Sequence, residues 1–174
     1  MQVKNDINTE LSKINSGDSE CPFDIEILKD GTWIHKGRPI KRMGLVKLFS
    51  TVLSRDDDGN HWLITPAERG KIAVEDSAYV SKTTRVQGQG QERAVFITTN
   101  IDQEIPLNQE HSLILKMDKN DAQVPYLQLD KKLEARITRK DFYHLTELAE
   151  ADPNDPDWIG LWSHGSFHRL GQKR

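Results

Sequence analysis

The sequence predicts an α+β fold made of two similar β-rich halves, each with one main helix, related by internal duplication. Three observations predict it. Short alternating apolar runs bounded by Gly, Pro and Asp turns fill most of the chain. Two stretches switch to a helical apolar period. A motif around the two helix starts recurs at a spacing of 97 residues.

Composition narrows the function classes. The 174 residues carry 24 Lys and Arg against 27 Asp and Glu, a net charge of −3 that argues against a nucleic-acid binder working through bulk charge. A single cysteine, Cys21, excludes an internal disulfide framework and a Cys-based zinc site within one chain. No apolar run approaches the ~20 residues that cross a bilayer, and the polar start has no signal-peptide core. The expectation is a cytoplasmic, bacterial-type protein with no membrane span, cofactor or metal.

Residues 1–20 are polar, with Ile7, Leu11 and Ile14 spaced as a short amphipathic helix that either docks or stays a tail. The first half is set at 21–83 and the second at 84–174. From Asp24, alternating Ile25 and Ile27 lead through Asp30-Gly31 into Trp33–His35. Asp-Gly between alternating runs signals a hairpin whose type I′ turn has φ > 0 at both central residues. Lys36-Gly37-Arg38-Pro39 ends that strand. Leu45, Leu48, Phe49, Val52 and Leu53 then share a helical face, stopped by Asp56-Asp57-Asp58-Gly59-Asn60. His61–Thr65, Lys71–Glu75, Tyr79–Gln87, Ala94–Thr99, His111–Met117, Val124–Leu129 and Leu133–Ile137 read as strands. Thr138 is an N-cap, with Asp141 three residues on, for a second helix burying Phe142, Leu145, Leu148 and Ala149. Asp152–Asp157 stops it, and 158–170 returns as strand or hairpin.

The two helix starts share Ile-x-Arg-x-x-Φ-Φ-x-Leu. Ile40, Arg42, Leu45, Val46 and Leu48 match Ile137, Arg139, Phe142, Tyr143 and Leu145. Each helix follows a strand and leads through an acidic turn to a tryptophan strand, at Trp62 and Trp158. A junction of two such halves is a natural place for a cleft.

Asp30-Gly31-Thr32-Trp33, Gly37-Arg38-Pro39-Ile40 and Leu45-Val46-Lys47-Leu48-Phe49 together resemble DUF1285, a bacterial family of unknown function. So do Leu63–Glu68, Val74-Glu75-Asp76, Thr99-Asn100, Pro125-Tyr126, Leu133–Arg136 and Trp162-Ser163-His164-Gly165. The resemblance implies a two-half α+β fold whose C-terminal half is similar to a pleckstrin-homology-like barrel. It also implies a small, nucleotide-like ligand held between the halves in signalling, without catalysis. The chain departs from the family pattern at Asp130, Lys131 and Lys132, where an arginine and two glycines are expected. Val74–Tyr79 also lacks an expected proline and phenylalanine.

The candidate ligand-binding residues are Trp33, His35, Arg38, Arg42, Arg136 and Arg139. Arginines at helix starts can fork onto a phosphate beside free N–H groups, with Trp33 and His35 as a wall. Lys41 and Lys140 add charge to the same set. The bland alternatives are solvated surface charge for the cations and core packing for Trp33, Trp62, Trp158 and Trp162. No His-Glu-x-x-His occurs, and Ser163 lacks a nucleophile elbow. Glu75 and Asp76 are adjacent and so point to opposite faces of a regular strand. The favoured reading is therefore a regulatory module binding an anionic, nucleotide-like small molecule. A protein-interaction module using the edge Ser112–Met117 is the alternative. A hydrolase built on His35 and Glu75 is the third reading.

Overall fold

A computed structural model describes residues 2–15, 17 and 21–173. The chain divides into two compact units. Unit 1 runs to Ala78 and includes Lys131–Leu133; unit 2 comprises Tyr79–Asp130 and Glu134 onward.

Unit 1 opens with α1 (Gln2–Ile14), whose Ile7 and Leu11 are buried, so this segment is docked. The expectation for residues 16 and 18–20 lies outside the described residues. Then come β1 (Ile25–Ile27), β2 (Trp33–His35), β3 (Arg38–Pro39), α2 (Met43–Ser50), β4 (Leu53–Arg55), β5 (His61–Ile64) and β6 (Arg69–Val74). They form one six-stranded sheet in the order β3-β2-β1-β6-β5-β4. Two antiparallel meanders meet at a parallel pair, with Glu26 opposite Ala73 and Ile27 opposite Val74. Phe49 of α2 lies fully buried and stacks on Trp33, ring centroids 6.3 Å apart.

Unit 2 contains β7 (Tyr79–Gln87), β8 (Ala94–Thr99), β9 (Glu104–Pro106), β10 (Leu113–Met117), β11 (Gln123–Gln128) and β12 (Glu134–Arg136). These follow the order β10-β11-β12-β7-β8-β9, again two meanders joined by a parallel pair, β7 with β12. Then come α3 (Arg139–Thr146), β13 (Glu150–Asp152), β14 (Asp155–Ser163) and β15 (Ser166–Gln172), the last three forming a separate sheet. Ser163 ties the two sheets: its buried hydroxyl accepts the Val95 N–H (3.0 Å) and donates to the Leu107 carbonyl (2.6 Å).

Two similar six-stranded mixed sheets, each with one eight-residue helix, bear out the duplication, and a small three-stranded sheet follows α3. The repeat of meander, helix, meander runs β1–β6 and again β10–β15. Cation–ring pairs recur with it: Arg69 sits 4.2 Å over Trp62, and Arg169 sits 4.9 Å over Trp158. Ile40 and Ile137, which donate to the Trp33 and Pro125 carbonyls of the preceding strands, are 97 residues apart, while those acceptors are 92 apart. The helices are offset by one residue from the 97-residue spacing, because Thr138 caps immediately after Ile137 whereas Arg42 is the cap two residues after Ile40.

Several expectations are corrected. The division at 83/84 falls inside β7, an unbroken nine-residue strand, and the units part at Ala78/Tyr79 instead. Helix α2 stops at Ser50, and Leu53 begins a strand paired with Leu63 rather than extending the helix. The type I′ turn is Lys36-Gly37, φ 48° and 74°, which makes β3 a strand hairpinned to β2. Asp30-Gly31 belongs to a three-residue loop instead: Gly31 donates to the Leu28 carbonyl and has φ 87°, while Asp30 is outside the left-handed region. The same loop recurs before Asn60, Gln103 and Ala122, with Gly59, Asp102 and Asp121 in its left-handed position. Strands β9 and β13 were not expected; each is three residues, too short for a period to show.

Candidate functional site

The start of α2 in unit 1 is built from residues that leave its end electrostatically open. Arg42 caps α2 in extended conformation with no side-chain cap, and the first turn, Met43-Gly44-Leu45-Val46, contains no acid. Backbone N–H groups at such an end carry partial positive charge. Around it, the Lys36-Gly37 turn and β3 present a cleft of about 670 Å³ lined by His35, Lys36, Arg38, Pro39, Ile40, Lys41, Arg42 and Leu45. Four cations and a histidine line it, and no carboxylate does. Arg42 and Leu45 also border a smaller cleft against α1, lined by Asp6, Thr9, Glu10 and Lys13. There the Glu10 carboxyl is held below its usual range by a hydrogen bond from Lys13, with the charges of Lys13 and Arg42 adding to it.

His35 and Trp33 are two apart on β2, so their side chains leave the same face. Both carry a buried ring nitrogen without a hydrogen-bond partner among the described residues, Trp33 Nε1 and His35 Nε2. A buried polar atom left unpaired costs about 1–3 kcal/mol. Trp33 itself is 2% exposed and packed on Phe49, so it is a core residue beneath the site rather than its wall.

In unit 2, the start of α3 has its own anion. The Asp141 carboxylate, 2% exposed, accepts the Ser81 hydroxyl at 2.5 Å and the Thr138 hydroxyl at 2.9 Å. Ser81 Oγ in turn accepts the Thr138 N–H (2.9 Å), and Thr138 Oγ1 accepts the Asp141 N–H (3.4 Å). Arg136 and Arg139 line a cleft of about 790 Å³ beside this cap, together with Phe142, Tyr143 and the β10–β11 turn. Arg136 donates to the Tyr126 hydroxyl at 3.4 Å. The six expected residues therefore resolve into three places: His35, Arg38 and Arg42 together in unit 1, Arg136 and Arg139 together in unit 2, and Trp33 in the unit 1 core.

Lys41 belongs to the expected cation set and Lys36 does not, because the place of Lys36 in the lining depends on the hairpin at Lys36-Gly37. The Glu75 carboxylate proposed for acid–base work accepts the Lys29 backbone N–H at 2.6 Å and does not line the cleft of His35. Among the described residues, no three His, Cys, Asp or Glu side chains gather as a metal set, and no helix is long and apolar enough to cross a membrane.

The comparisons with known proteins agree with the two-part architecture. Residues 16–77 match the N-terminal domain of DUF1285, a domain of unknown function, and residues 78–170 match its C-terminal domain. The chain belongs to the DUF1285 family. A DUF1285 family crystal structure from Silicibacter pomeroyi DSS-3 is 34% identical and superposes with a TM-score of 0.79, covering 88% of this chain and 81% of that one. A second, from Shewanella baltica OS155, is 23% identical with a TM-score of 0.56, over 71% of this chain and 91% of that one. No curated protein matches the sequence. The DUF1285 domains meet at 77/78, one residue from the boundary between the units.

Proposed function

We propose that this DUF1285 protein is a ligand-binding regulatory module whose unit 1 cleft holds a small phosphate-bearing anion, a nucleotide being the favoured class. One observation carries the reading: Lys36, Arg38, Lys41, Arg42 and His35 surround a helix start that has neither an acid nor a side-chain cap. Cations at a positive helix end repel it, and within the fold Glu10 of α1 offsets that repulsion only at Arg42. Local rules broken beyond what the fold compensates mark sites of function. A phosphate would accept forked bonds from Arg38 and Arg42, a bond from the His35 ring and N–H bonds at the helix start. The bound anion would order the β3–α2 connection, and a partner protein would read that order.

Two finer points belong to the same proposal. The pleckstrin-homology-like reading of the C-terminal half rests on resemblance alone, since unit 2 pairs a six-stranded sheet with a three-stranded one and its helix precedes strands. A bacterial cytoplasmic setting is proposed from the composition and from the source organisms of the two related structures.

Calorimetric titration with pyrophosphate and with ADP tests the reading. Saturable binding that Arg38→Glu and Arg42→Glu each weaken about 10-fold or more supports it, since charge-assisted bonds contribute about 1.5–3 kcal/mol each. Both residues are exposed and an acid suits a helix start, so the melting temperature should hold or rise. Absence of binding, or binding indifferent to both reversals, removes the proposal. The protein-interaction alternative has its own observation: β10, within the expected Ser112–Met117, ends its sheet and pairs with β11 alone.

A further inference from the structure

The cleft of unit 2 is lined by residues of both charge signs and by apolar side chains, whereas no carboxylate lines the His35 cleft of unit 1. Its lining is mixed: Val124, Pro125, Ile137, Phe142 and Leu170 contribute apolar atoms, while charged and amide side chains make up the larger share of the surface. Met117 and Tyr143, 59% and 60% exposed, border it, and they are the two most exposed large apolar side chains among the described residues. Exposing such groups is unfavourable, and two around one concavity mark a surface that a ligand covers.

The charges on its rim are unequal. Arg136, Arg139 and Lys173 stand against Asp118 and Asp121. Asp118 is turned into its own loop, its Oδ1 accepting the Asn120 N–H at 2.8 Å and the Ala122 N–H at 3.0 Å. Arg136 is pre-set, its guanidinium 5.9 Å over the Tyr126 ring and bonded to that hydroxyl. Arg139 is exposed at the first position of α3, where the nearby carboxylate of Asp141 is turned inward to Ser81 and Thr138. The rim therefore offers net positive charge beside the apolar part of the lining.

We infer that this cleft is a second binding site, for an amphipathic organic anion: an alkyl or aromatic body on the apolar part of the lining with one acidic group at Arg136 and Arg139. The volume, about 790 Å³, is in the range of small-molecule sites, roughly 300–1,000 Å³. This inference is independent of the anion reading for unit 1.

The test uses the full chain and 8-anilinonaphthalene-1-sulfonate, an aromatic sulfonate whose fluorescence rises in apolar surroundings. The expected result is a saturable signal with one site per chain, displaced by decanoate at least tenfold better than by decanol. Pyrophosphate, lacking an apolar body, should leave the signal in place. Arg139→Glu and Tyr143→Ser should each weaken the probe at least fivefold, and Met117→Ser gives a third handle if either variant is unstable. Equal displacement by decanoate and decanol overturns the inference, as does displacement by pyrophosphate. So does a probe signal unmoved by all three variants. A dimer in sedimentation that Tyr143→Ser converts to monomer also overturns it, by assigning the face to a second copy.

Discussion

Helices α2 and α3 are both eight residues long and occupy the same place in the repeat, yet their first turns are built in opposite ways. In α3 the positive end is answered from within, by Thr138 and a buried Asp141 that also orders Ser81. In α2 the same end is ringed by Arg38, Lys41 and Arg42 and has no acid in its turn. One copy of a duplicated unit has closed its helix start for stability; the other has left it open to solvent. The difference separates what the repeat needs in order to fold from what one copy is free to use for binding.

The core side of the comparison should be symmetric. Phe49 and Leu145 are the fully buried residues at matching turns of the two helices. Phe49→Ala should cost about 3–5 kcal/mol and Leu145→Ala about 2–5 kcal/mol, measured by urea unfolding. A negligible cost at either position would break the equivalence.

The cap side should be asymmetric. Asp141→Ala removes the acceptor of the buried Ser81 hydroxyl and the half-buried Thr138 hydroxyl and should cost about 2–3 kcal/mol, while Arg42→Ala should stay within about 0.5 kcal/mol. Equal losses at the two positions would contradict the account of the helix starts.

The repeated three-residue loop sharpens the comparison further. Its left-handed position is Gly59 in unit 1 and Asp121 in unit 2, φ 86° and 57°. Gly59→Ala should destabilise, and Asp121→Gly should stabilise, each by about 1 kcal/mol.

The smallest effects are in pH dependence. Burial pushes His168 below its ordinary value of 6.5, partly offset by a hydrogen bond with Ser163. The unfolded chain then binds more protons than the folded one near pH 6, so this contribution is present above pH 6.5 and is lost as pH falls beneath it. Urea unfolding from pH 7.5 to 5 should show that loss, and His168→Gln should reduce it. Asp56 behaves alike in more acid solution. The indole N–H of Trp62, with the backbone N–H of Asn60, holds its carboxyl at about 2 against an ordinary 3.8. Its contribution is present above 3.8 and lost toward 2, and Asp56→Asn should flatten acid unfolding in that window.

Much of this architecture was legible because it rests on local pattern. Strands Tyr79–Gln87 and Ala94–Thr99 were read to the residue, and Thr138 with Asp141 announced α3. Strands of two or three residues were not legible, since β3, β9 and β13 are shorter than any period they could display. The end of α2 was misread because Val52 and Leu53 continue the helical apolar spacing while pairing demands a strand. Of the site, the arginines and His35 could be named from motif alone. That Trp33 lies beneath the cleft and Lys36 on it depends on how β2 and β3 pair. The departures at Lys131 and Lys132 gain a physical meaning as well. Both have left-handed φ, 56° and 60°, where glycine would be free of strain, and their ammonium groups bond Thr51 and Asp57 within unit 1.

The most direct measurement of the central contrast is a pyrophosphate titration followed by amide nuclear magnetic resonance. The account expects saturable shifts at the backbone amides of Lys41, Arg42 and Met43 and at the His35 ring, with the start of α3 unmoved. Shifts at Arg139, Lys140 and Asp141 instead, or none at either helix start, would contradict it.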